Sequence, residues 1–234
     1  MQSKTPSSVM SWLGRAALLL TSLSLATSLA HAGQVSTPDL SAAYGASNFG
    51  SKPVSIRWLT PVSIVNASLT TIDLRDELLG LALLSPDLSP VINAFFVDKI
   101  TFCDGESASN FKGCSFLNSN VFAVESSFTA GASGALNIAH ELGHTMGLEH
   151  VSGVNLMNPF LGSAVLTAVQ VNTVLGNSRV RTAADGGRYI EIRPVAVLAA
   201  APIPEPETYA LMLAGLMLVG AAARRAARGS VSPR

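Results

Sequence analysis

The chain has 234 residues, 15 basic and 15 acidic side chains, four histidines and two cysteines, and 48% of it is hydrophobic. Residues 33–203 hold nine of the basic and thirteen of the acidic side chains, a net charge of −4 with histidines neutral. This excludes the basic footprint by which proteins hold nucleic acid, and the length suits one domain with its own core.

In chain order, residues 1–32 read as a secretory signal. Lys4 and Arg15 precede an apolar run at 16–30, and Ala30-His31-Ala32 fits the small-residue cleavage rule, placing the cut before Gly33. Residues 33–51, rich in Gly, Ser and Ala, read as a loose lead-in. Val54-Ser55-Ile56-Arg57-Trp58-Leu59 alternates and predicts a first strand. Thr70 with Asp73 predicts a helix start, after which Leu74, Leu78 and Leu81 share a face and Pro86 marks the end. Residues 91–102 and 120–124 have strand character. Cys103 and Cys114, the only cysteines, are expected to form one disulfide in an exported chain. Ser133 is the expected N-cap of a helix whose Ala135, Ile138, Leu142 and Met146 make an apolar stripe, and Gly147 takes the chain out of it in a left-handed turn. Residues 182–203, with the alternating Tyr189-Ile190-Glu191-Ile192-Arg193, read as a closing strand or a linker, so the domain is expected to span 33–181.

The chemistry is concentrated in residues 140–150, which spell H-E-x-x-H-x-x-G-x-x-H. Of the four histidines, only His31 lies elsewhere, in the expected leader. On a helix, His140 and His144 stand about 40° apart and one turn along the same face. Glu141 lies about 60° from His144, within reach of a water on a shared metal. Gly147 lets the chain turn back so that His150 supplies a third imidazole. Three ligands leave a fourth position open, which is how catalytic zinc differs from structural zinc.

These residues resemble the metzincin metalloproteases. The resemblance implies an α+β domain, a twisted mixed β-sheet with an active-site helix and a C-terminal helix. It implies one catalytic Zn2+ on His140, His144 and His150, with Glu141 as general base. Asn155-Leu156-Met157-Asn158-Pro159 looks like the family's Met-turn, with Met157 a hydrophobic floor beneath the metal, and residues 166–175 look like its C-terminal helix. The activity implied is hydrolysis of a protein or peptide bound extended along a sheet edge, for which 118–125 is the candidate. Val151, after the third histidine, departs from the main subfamilies. No cysteine before Cys103 is placed to block the metal, and no histidines remain for a second, structural zinc. The competing expectation is a non-catalytic surface or biofilm-matrix binding protein on the same fold; an intact Glu141 favours the enzyme.

At the other end, Ile203-Pro204-Glu205-Pro206-Glu207 precedes an uncharged, mainly apolar stretch at 208–223, followed by Arg224, Arg225 and Arg228. The apolar stretch is near the lower limit for a membrane span, and the arginines after it suit a cytoplasmic end. Residues 204–234 thus resemble the PEP-CTERM sorting tail of Gram-negative bacteria. The resemblance implies an exosortase-type processing enzyme as partner, membrane contact before processing, and a final place at the outer surface or in the extracellular matrix.

Overall fold

The computed structural model describes residues 34–103, 105–160, 162–200, 210–211 and 213–220. The expected signal at 1–32, the Pro-Glu-Pro motif and the arginines of the tail lie outside them. Residues 210–211 and 213–220 are helical and exposed, and among the described residues no helix is long and apolar enough to cross a membrane.

The elements run in this order: α1 (Ser41–Tyr44), α2 (Ala46–Phe49), β1 (Val54–Trp58), β2 (Val62–Val65), β3 (Thr71–Ile72), α3 (Arg75–Leu83), β4 (Ile92–Val97), β5 (Lys99–Ile100), β6 (Phe102–Cys103), β7 (Glu106–Ser107), β8 (Gly113–Ser115), β9 (Val121–Glu125), α4 (Gly131–Thr145), α5 (Ala168–Gly176), β10 (Arg181–Thr182) and β11 (Arg188–Leu198). The result is a mixed α+β fold built on one seven-stranded sheet, ordered β1-β11-β4-β9-β8, with β2 and β10 also paired to β11. β1, β2 and β4 run parallel to β11, and β9 parallel to β4, whereas β8 is antiparallel to β9 and β10 to β11.

Every residue of β4 and β9 is buried, the pattern of parallel strands covered on both faces. Their alternation divides the interior. Ala94, Phe96, Phe122 and Val124 pack with Ile138 and Leu142 of α4 and with Met146 just after it. Phe95, Val97, Val121 and Ala123 pack with Leu78 and Leu81 of α3 on the opposite side. A one-residue slip in β4 would exchange these two sets, so the register is held by both layers.

Several expectations from sequence are corrected here. The expected lead-in at 33–51 is not loose: two short helices, Ser41–Tyr44 and Ala46–Phe49, put Ala43, Tyr44 and Phe49, with Leu40 before them, in the core with α4. The expected strand at 91–102 is three strands in three sheets, because the chain leaves the large sheet at Asp98, whose N–H donates to Thr70 O at 2.7 Å, and β5 then pairs with β3. That pairing holds residues 71–72 extended, so α3 starts after Leu74 and not near Thr70; the Glu77 carboxylate accepts from the Asp73 and Leu74 N–H groups at 2.6 and 2.7 Å. α4 starts after Ala130, before the expected Ser133 cap, because Gly131 takes the positive φ of 69° needed at the turn into it. Of the two readings of 182–203, residues 188–198 form a strand, and it lies at the centre of the sheet between β1 and β2 on one side and β4 on the other. The folded domain therefore runs past Arg181. Pro194, which has no N–H, falls where β1 (to Ile192) gives way to β2 (from Val195), so the missing donor meets a break in the neighbouring strand.

Cys103 and Cys114 form a disulfide that ties β6 to β8.

Candidate metal centre

α4 and the loop that follows it deliver the three histidines to one point. The Nε2 atoms of His140, His144 and His150 form a nearly equilateral triangle with sides of 3.1, 3.1 and 3.2 Å. Backbone carbonyls decide which nitrogen of two rings points inward. His140 Nδ1–H donates to Leu156 O at 2.8 Å and His144 Nδ1–H to Leu148 O at 2.7 Å. With the proton on Nδ1, each Nε2 carries a lone pair, so the 3.1 Å approach of these two nitrogens is not a hydrogen bond. Lone pairs this close repel unless a cation lies between them. Burial pushes His140 down to about 4 and His144 to about 3, helped by His150 at the first and by His140 and His150 at the second; both imidazoles are neutral at neutral pH.

The triangle fits a metal ion of zinc size. A tetrahedral site with bonds of about 2.0–2.1 Å has ligand–ligand edges of about 3.3–3.4 Å, slightly longer than those observed. Among the described residues this is the one group of His, Cys, Asp or Glu that could hold a metal ion, and it could do so through one nitrogen from each histidine.

Gly147 has φ 91°, a conformation side chains resist, and a Cβ there would lie 2.6 Å from Asn118 Oδ1. The glycine is thus required both for the turn and for the close approach of Asn118, whose own N–H donates to His144 O at 3.0 Å. Arg179 spans the same helix end, donating to Thr145 O at 3.2 Å and Asn118 O at 2.7 Å. Beyond His150, Val151 N–H donates to Met157 O at 3.0 Å and closes the segment into a loop. Met157 is fully buried, and its sulfur lies 2.4 Å from where a Gly143 Cβ would be. Gly143 is therefore the gap in α4, between His140 and His144, that admits the methionine.

Glu141 packs against β8, the strand at one end of the sheet order. Its Oε2 accepts from Ser115 Oγ at 2.8 Å, and a Cβ on Gly113 would lie only 2.3 Å from its Oε1. Burial pushes this carboxyl up to about 8, with the Ser115 hydrogen bond working against the shift. β8 thus forms the roof over Glu141, and a second tie, Asn137 Nδ2 to Lys112 O at 2.8 Å, fastens α4 beside it. The expected substrate edge at 118–125 is corrected by this arrangement. β9 is paired on both sides, with β4 and with β8, and its residues are all buried. The outer strand on this side is β8.

Local spacing brought out the three histidines, Glu141, Gly147 and Met157. It could not bring out Gly113, Ser115, Asn118, the Leu148 and Leu156 carbonyls, or Arg179. Backbone carbonyls have no sequence signature, and the others act across long stretches of chain.

The fold and site define an α+β protein with a three-histidine candidate metal centre on and after α4, whose Glu141 packs against the outer strand β8 of a mixed sheet. No family model matches the chain, and neither the curated proteins nor the solved structures contain a match to it.

Proposed function

We propose that the chain is an exported zinc endopeptidase with a metzincin-type centre. The observation that carries the reading is the inward triangle of Nε2 atoms, two of them oriented by backbone carbonyls, beside a buried glutamate. His140, His144 and His150 would hold the ion. Zinc in an open three-imidazole site supplies a water acidified toward neutrality and polarises a carbonyl. The chain's own groups supply the rest. Glu141 takes the proton from the attacking water and passes it to the leaving amine. An added positive charge in the site favours its carboxylate form against burial, and the Ser115 hydroxyl supports the same form. β8 offers its outer backbone groups to an extended peptide, which would bind as an added strand. Casein incubated with the purified protein should be cleaved, and a zinc chelator should stop cleavage until zinc is restored. Cleavage that persists under chelation would remove the metal from the mechanism.

Gly113 gives the reading a sharper test. Gly113→Ala puts a methyl group onto the carboxylate of Glu141, which must move. A displacement of about 1 Å in a catalytic group can cost about 10²-fold. The variant should retain its metal and lose about that much in kcat. A variant that cleaves at the wild-type rate would show that the packing of Glu141 under β8 is not its working position.

Export and sorting complete the proposal. The disulfide suits an oxidising compartment. The signal at 1–32 and the tail at 204–234 supply the route and the processing step. Mass spectrometry of the exported protein from its native cell should find the peptide 228–234 missing, and deleting a co-resident exosortase should restore it. Finding that peptide on exported wild-type protein would defeat the sorting reading and leave the metal centre untouched.

A further inference from the structure

We propose that a buried amide pair, Asn155 with Gln170, is the positioning device for His140, and that through it α5 sets the affinity of the metal centre. This rests on the three histidines being metal ligands, as proposed above. The ligand nitrogen of His140 points inward because its Nδ1–H is held by Leu156 O at 2.8 Å. Such outer partners fix both the tautomer and the ring plane of a ligand histidine. The question is then what fixes Leu156 O. Its own residue is pinned by Leu156 N–H donating to Val165 O at 2.7 Å. On either side of the carbonyl the backbone is shaped by Asn155, whose Oδ1 accepts from Met157 N–H at 2.9 Å, closing a turn around Leu156.

Asn155 is in turn held by Gln170. Asn155 Nδ2 donates to Gln170 Oε1 at 2.8 Å, and Gln170 Nε2 donates back to Asn155 Oδ1 at 3.1 Å. Gln170 Oε1 also accepts from Thr167 N–H at 2.8 Å, while Gln170 N–H donates to Thr167 Oγ1 at 3.3 Å. Each amide oxygen thus has two donors, one of them a backbone N–H that only an oxygen can satisfy. The two backbone groups determine which way both amides face. Both side chains are buried, 5% and 9% exposed, so neither can exchange its partner for water. The path from α5 to the metal ligand is continuous: Thr167 and Gln170, Asn155, the turn at Leu156, His140. Nothing in the capping of a nine-residue helix needs Gln170 to reach out to Asn155, since its reciprocal bonds with Thr167 already cap α5.

The test uses the full chain and reads metal binding, not turnover. Wild type, Gln170→Met, Gln170→Glu and Val174→Ala are stripped of metal and titrated with zinc against a chromophoric chelator. The visible spectrum of Co2+ bound in place of zinc reports the ligand geometry. Gln170→Met keeps the volume and loses the network. Gln170→Glu keeps the acceptor for Asn155 Nδ2 and Thr167 N–H and loses the donor to Asn155 Oδ1. Val174→Ala removes fully buried atoms from the same helix without touching the network. Gln170→Met should bind zinc about 10- to 100-fold more weakly, the range for lost outer-shell partners, with an altered cobalt spectrum. Gln170→Glu should be weakened less, and it decides the matter alone should the methionine variant fail to fold. Val174→Ala should bind like wild type. Wild-type affinity in Gln170→Glu and Gln170→Met, or equal weakening in Val174→Ala, would overturn the proposal. A wild type that binds no zinc would instead overturn the metal centre itself.

Discussion

Glu141→Ala should leave the metal in place and remove peptide hydrolysis. The three imidazoles are untouched by the change, so metal content stays at that of wild type. What is lost is a proton carrier in the transition state, whose removal costs about 10²–10⁴-fold in kcat. The same substitution removes a buried carboxyl with a raised proton affinity and its hydrogen bond to Ser115, so the fold itself should tolerate it. The measurement is kcat and KM on a fluorogenic peptide beside metal analysis of the same sample. A variant that cleaves as fast as wild type would remove Glu141 from the base role. A wild type that cleaves nothing in a broad peptide library would favour the binding protein on the same fold.

His144→Ala should abolish metal binding and activity together. His144 Nε2 lies 3.1 Å from the Nε2 atoms of both His140 and His150, and its loss leaves two imidazoles from different segments of chain. A ligand that binds only the native state stabilises it by about 4 kcal/mol when its free concentration is 1,000 times its Kd. Wild type should therefore melt several degrees lower in chelator, while the melting of His144→Ala should not respond to chelator at all. Equal zinc content in the variant and wild type would contradict the assignment. The two substitutions separate the roles: one loses the reaction and keeps the metal, the other loses both.

Some of this was already present in local spacing. The i, i+4 placement of His140 and His144, with Glu141 between them and Gly147 ahead of His150, follows from helix geometry and one left-handed turn, both short-range properties. The disulfide was legible because only two cysteines exist to pair. The start of β1 was legible because alternation acts within a few residues, whereas the helix near 166–175 was expected from resemblance alone and its Thr167 cap came only with the structure.

What only the tertiary structure decided are the pairings between distant segments. A strand's hydrophobic run does not say which neighbour it will take. Residues 182–203 read as a closing strand or a linker, yet 188–198 became the centre of the sheet because β1, β2 and β4 all found hydrogen-bond partners there. The run at 91–102 was cut by a contact between Asp98 and Thr70, 28 positions away in the chain. Residues 33–51, rich in Gly, Ser and Ala, read as a loose lead-in, but within them Leu40, Ala43, Tyr44 and Phe49 join the core shared with α4, with Tyr44 O–H donating to Ala139 O at 3.0 Å. The same division runs through the centre itself. Sequence by itself determined which side chains could meet a metal. Whether their nitrogens point inward depends on Leu148, Leu156 and Asn155, and the position of the Glu141 carboxyl depends on Gly113 and Ser115. Those contacts are made by backbone atoms and by missing or small side chains, which leave no pattern in a sequence until the chain has folded.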